Sequence, residues 1–202
     1  MTGSASQGFR VTSERHRLLA AAARTLARDG YHATTTRTIA CGAGVTSPRL
    51  EAEFGDLHGC LIAATLVAVH QAYFVVLQAY QREDLWPDGV REALRALLDF
   101  LAAEPDFVRT CLVELRYVPD SDRHIAAARE AFTAFLTPGH DADAEIPLLT
   151  AEFISGGVLH LITRYSLEDR VAELPAALAE MTNLVLSPYL PPTEIERAIM
   201  RC

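Results

Sequence analysis

Lysine is absent from this chain: all 18 of its cationic side chains are arginines. That excludes every phosphate loop, Schiff base or kinase-type site that depends on an ammonium group. Cysteine is sparse, and Cys41, Cys60, Cys111 and Cys202 stand too far apart to form a CxxC pair. Neither a zinc ribbon nor a secreted disulfide framework fits that spacing. No stretch alternates apolar and polar residues with period two, so strands are not expected. HExxH and G-x-S-x-G are both missing, and Gly42-x-Gly44 has no strand before it to make a dinucleotide loop. An enzyme is therefore not expected, nor a cofactor, nor a metal. The N-terminus MTGSASQGFR lacks a charged region leading into an apolar core, which argues against a signal peptide and for a cytoplasmic protein. The most membrane-like run, Leu61–Tyr80, is interrupted by His70, Gln71 and Gln78 and reads as a buried helix.

What remains is apolar and helical. Half of the 202 residues are hydrophobic, enough for a sizeable core. The net charge of -8 argues against a protein that coats nucleic acid, but the charge is unevenly placed. Residues 1–60 hold seven arginines and five acids, a net of +2, which leaves -10 for the rest. A mildly basic head on an acidic body suits a molecule that presents only its head to a phosphate backbone.

Residues 1–11 read as a flexible tail, 12–56 as a head and 57–202 as a body. Helix one is expected from about Thr12 or Ser13 to Arg28, with Leu19, Ala22 and Leu26 on one face and Gly30 as its stop. Thr34 is the expected N-cap of a short second helix that turns Ile39 and Ala40 inward. Ala43-Gly44-Val45 makes a tight turn. Thr46 caps a third helix, and Pro48 falls in its first turn, where a missing N–H costs little. Phe54 anchors it. Two short helices across a tight turn make a helix-turn-helix head.

A long fourth helix, about 57–82, should run from head to body. Helix five carries Leu94, Leu97, Leu98 and Leu101 at helical spacing, and helix six repeats it with Val108, Cys111, Leu112 and Leu115. Helix seven is expected over about 122–136, helix eight from Pro147 to about Ser166, and helix nine over about 172–187. Thr193-x-x-Glu196 is a capping box for a short last helix. The fold class is all-α, about nine to ten helices: a three-helix helix-turn-helix head and a C-terminal helical body.

Gly30-Tyr31, Thr34, Ile39-Ala40, Gly44-Val45, Leu50 and Phe54-Gly55 resemble, in order and spacing, the DNA-binding head of the tetracycline-repressor (TetR) family. The resemblance implies a ligand-responsive transcription regulator, most often a repressor. Its partners would be a second copy of the chain, a double-stranded DNA operator and a small-molecule effector of unknown identity, with no membrane. It also implies a four-helix interface from helices eight and nine of both subunits, and a ligand cavity inside the body. The chain departs from the family at positions that meet DNA. Glu51 and Glu53 stand where aromatic or polar groups are usual, and Leu57 where lysine is common. Two carboxylates beside phosphates repel and release no counterions. The alternative is therefore a TetR-like ligand-binding or partner-binding protein whose head has lost sequence-specific DNA binding.

Thr34, Thr36, Arg37, Thr46, Ser47 and Arg49 are the expected DNA contacts. Arg37 lies in the first turn of helix two, where the family helix abuts the backbone. Arg49, the one cation of helix three, either meets a guanine or phosphate or pairs with Glu53 at i, i+4. In the body, His70, Tyr73, Trp86, Cys111, Glu114, Tyr117 and His160 are candidates for an apolar effector cavity with a few convergent polar groups. Phe153, Gly156, Gly157, Leu161, Leu178, Met181, Leu184 and Val185 are the expected dimer face, with the paired glycines allowing either close helix approach or a kink. The acidic run Gly139–Glu145 has the alternate carboxylates of a calcium loop, but Ile146 and Pro147 follow where such a loop needs Gly and a free turn. It reads as a solvated loop.

Overall fold

The computed structural model describes residues 4–136 and 148–200. Among them every regular element is helical. The acidic run Gly139–Glu145 and Cys202 lie outside the described residues.

Helix α1 (Ser4–Asp29) starts ahead of the expected Thr12 and runs through most of the segment read as a tail. Gly30 stops it with φ +76°, a left-handed conformation that glycine adopts without a Cβ clash. Helices α2 (Thr36–Ala43) and α3 (Ser47–Phe54) are joined through Gly44 in the left-handed region. The Gly44 and Val45 N–H groups donate back to the Cys41 and Ala40 carbonyls, which ends α2 within one turn. Leu18, Leu26, Ile39 and Leu50 are almost fully buried where these three helices meet.

The N-cap of α2 is Thr35, not Thr34. The Thr35 hydroxyl accepts from the Thr38 N–H, and the Thr38 hydroxyl accepts from the Thr35 N–H. Thr34 is buried and its hydroxyl donates to the Gly30 carbonyl at 2.7 Å.

Helix α4 (Leu57–Tyr80) begins at Asp56, whose carboxylate accepts from the Gly59 N–H. By length and composition it is apolar enough to cross a membrane. It packs instead against α1, α3 and α5 (Trp86–Ala103), burying Leu61, Ala64, Ala72 and Val76. The expected helix six is broken into three parts. A short α6 (Pro105–Val108) passes into a π-helical turn, Arg109–Glu114, and then a 3-10 turn, Leu115–Tyr117. Helices α7 (Asp122–Thr133) and α8 (Leu148–Leu167) complete the wall of the body. The expected helix nine is a 3-10 segment over Val171–Ala177, with Pro175 inside it, followed by α9 (Leu178–Leu186). Helix α10 (Pro192–Met200) closes the fold on α9 and α5.

Head and body are not separate cores. Leu115 and Val118, from the body, pack in one buried cluster with Leu18, Leu26, Ile39 and Leu50 of the head.

Candidate DNA-binding head and effector cavity

The expected contact residues of the head divide by environment. Arg37, in the first turn of α2, is exposed and has no ion-pair partner among the described residues. Thr46 is exposed at the N-cap position of α3, and its hydroxyl makes no capping bond. Ser47, next in the chain, and Thr36, at the start of α2, are half-buried. Thr34 faces inward and is lost to the outer surface.

Arg49 is held between two acids. Its Nε donates to Glu14 Oε2 at 3.1 Å, and its Nη2 lies 3.9 Å from Glu53 Oε2. Glu53 also accepts from Arg15 Nη1 at 2.8 Å, and Arg15 lies over the Phe54 ring. Glu53 is thus turned toward α1 and neutralised there. Glu51 is exposed and has no partner among the described residues. The open side of α3 therefore presents Pro48, Glu51 and Ala52.

In the body, a cavity of about 150 Å³ lies between α4, α5, the π-helical turn, α7 and α8. Aliphatic and aromatic side chains such as Val69, Leu97, Leu112, Phe132 and Ile162 make most of its wall. Its polar groups are few: Thr65, Cys111, Ser155, His124 and Arg129. The Thr65 hydroxyl already donates to the Leu61 carbonyl. Burial pushes the Cys111 thiol well above the ordinary thiol range, which suits a packed wall better than a reactive sulfur.

Of the seven residues expected at this cavity, only Cys111 lines it. His70 and His160 are exposed on the outer faces of α4 and α8. Tyr73 packs edge-on against Phe132 and beside Phe135, behind the lining. Trp86 packs edge-on against Tyr189 and donates its Nε1–H to the Phe135 carbonyl. Glu114 and Tyr117 point the other way, toward the head: Glu114 accepts from the Tyr31 N–H, and Tyr117 lies 5.7 Å from the His32 ring. The residues that do line the cavity are ordinary core aliphatics, which carry no sequence signal of their own.

The expected dimer face also divides. Phe153 is 81% exposed and Leu184 53% exposed, and nothing lies within 4 Å of a Cβ built at Gly156 or Gly157. Leu149 and Leu167 extend the same α8 surface. Leu161 and Leu178 are half-buried. Met181 and Val185 are corrected: both are buried within one protomer, where α9 packs on α5 and the 3-10 segment.

Residues 18–64 match the family described as bacterial regulatory proteins, tetR family. This chain has the head and the fold of the tetR family. The fatty acid degradation regulator FadR from Bacillus halodurans superposes with a TM-score of 0.76 at 18% identity, covering 87% of this chain and 99% of its own. FadR from Bacillus subtilis, solved in complex with stearoyl-CoA, gives 0.75 at 18% identity with the same coverage. A tetR-family regulatory protein from Rhodococcus RHA1 gives 0.69 at 22% identity, covering 86% and 95%. At these identities the likeness is one of fold. No curated protein matches the chain in sequence.

Proposed function

We propose that the chain is a homodimeric, DNA-binding transcription regulator of the cytoplasm, a repressor whose operator affinity falls when an apolar small molecule enters the body. The observation that carries this reading is a partly open apolar cavity whose wall includes α4 and the 109–114 turn, both of which also pack against a tetR-family head. Arg37, Thr46 and Ser47 are the groups offered to phosphates, and the exposed surface of α8 with Leu184 is the face offered to a second copy. The fold relative from Bacillus subtilis was solved with stearoyl-CoA, and a fatty-acyl chain is the effector class that suits this lining. Arg129, at the α7 side, is the cation available to an acidic end group.

The test is a gel shift with the duplex upstream of the protein's own gene, run with and without a fatty acyl ligand. A retarded band that the ligand dissolves supports the reading. A second reading, a head that no longer reads DNA, is favoured by one observation: the open side of α3 carries Glu51 and no free cation among the described residues. No shift at low salt, with a ligand still bound, selects it.

A further inference from the structure

We infer that residues 109–115 convert occupancy of the cavity into movement of the head, with Glu114 as the contact on the head side. This rests on reading the cavity as an effector site. The segment faces both regions at once. On one side Cys111, Leu112 and Leu115 line the cavity. On the other, the Thr110 hydroxyl donates to the Ala23 carbonyl of α1 at 3.2 Å, and Glu114 Oε2 accepts from the Tyr31 N–H at 2.9 Å. Leu115 belongs to both, lining the cavity while packing in the core of the head.

The contact is close, and its acceptor is buried. Glu114 is 8% exposed, and a Cβ built at Gly30 would sit 3.4 Å from its Oε2. An N–H that loses its acceptor is costly, so a moving carboxylate pulls Tyr31 through a strained bond, and a strained bond opens more often. Tyr31 also reaches α4, its hydroxyl lying 3.1 Å from His58 Nε2. A shift at Glu114 therefore meets the end of α1 and the first turn of α4 together.

The segment is also the part of the wall with a second arrangement at hand. It is a π-helical turn, a form seen mostly as single turns at functional positions, between an α-helical and a 3-10 turn. The cavity of about 150 Å³ is smaller than the roughly 300–1,000 Å³ of pockets that enclose sizeable ligands, so an effector must part its walls. Packed walls move between discrete arrangements rather than stretching.

Helix α4 is the rival route, since Thr65, Leu66 and Val69 line the same cavity. Hydrogen exchange of the peptide that holds the Tyr31 amide separates the two. The probe is cis-parinaric acid, whose fluorescence reports its own binding. Saturating the wild-type protein should speed exchange at Tyr31 about tenfold, against the slowing that ligand stabilisation alone would cause. Glu114→Gln keeps an acceptor and should keep the response. Glu114→Ala should exchange fast without ligand and respond no further, while binding the probe within about threefold of wild type. Unchanged Tyr31 exchange in the saturated wild type overturns the inference, as does a response that survives Glu114→Ala. If parinarate does not bind, the acyl-effector reading falls, and Leu112→Trp, which fills the cavity without a ligand, decides the link alone. Faster Tyr31 exchange in that variant supports it and unchanged exchange overturns it. Leu112→Phe serves if the tryptophan variant does not fold.

Discussion

Glu53 Oε1 lies 2.8 Å from Arg15 Nη1, and this pair turns one of the two acids of α3 away from the surface that would meet DNA. With Glu14 and Arg49 it forms an alternating row of four charges between α1 and α3. The repulsion expected of two carboxylates therefore reduces to that of Glu51.

Glu51→Gln and Glu53→Gln should accordingly behave differently. The first should strengthen DNA binding at low salt and leave stability unchanged, because Glu51 has no partner to lose among the described residues. The second should leave binding little changed and destabilise the fold by up to about 1 kcal/mol, the usual range for a part-exposed ion pair. Salt-titrated gel shifts and urea unfolding measure the two. If Glu51→Gln abolishes site selection instead, Glu51 reads a base, accepting from a cytosine amino group.

Arg37→Ala should weaken binding about equally across DNA sequences and reduce the slope of log affinity against log salt by about 1. The reason is its exposed place in the first turn of α2, without an ion-pair partner among the described residues. A change of preferred sequence would show that it reads bases.

Light scattering should give about twice the 22.1 kDa chain mass, because Phe153 and its neighbours on α8 leave a large apolar surface open. Phe153→Asp should produce a monomer with unchanged helicity. A wild-type monomer at micromolar concentration would remove the dimer from the proposal.

Alkaline pH should destabilise the protein through its buried thiols. Burial pushes the Cys60 thiol from 9.0 up to about 12, and Cys111 is raised by the same cause. A raised folded value means that the unfolded chain loses these protons first. The stabilising contribution is whole below about pH 9 and falls as pH rises toward 12. No lysine titrates in this window, so only cysteine and tyrosine contribute. Urea unfolding across it should show the decline, and replacing Cys60 and Cys111 with alanine should reduce it, leaving the part due to the half-buried Tyr80 and Tyr189. In native protein, Cys41 should react with a thiol reagent while both buried thiols wait for unfolding.

The head was legible because its signals are local. Gly30 and Gly44 stand where the chain turns left-handed, and Ile39 and Leu50 fall on the inward faces that helical spacing assigns them. The cap of α2 was misread by one residue because Thr34 and Thr35 are chemically alike. Burial of Thr34 and its bond to the Gly30 carbonyl decide between them. The cavity was not legible. Polar residues on apolar helices were expected to converge on a ligand, but His70 and His160 face outward, where their hydration is kept. Met181 and Val185 show the same limit: an apolar stripe on α9 fits a protomer core as well as a dimer face.

Periodicity, caps and glycine positions by themselves determined an all-helical chain with a helix-turn-helix head, because those preferences act within a few residues. Tertiary structure alone decided what those helices enclose and how the head is held. Glu114 meets the Tyr31 N–H across 83 positions of sequence, and the cavity wall is assembled from six separate segments. Such contacts depend on how faces pack against one another, and no spacing along the chain encodes that choice.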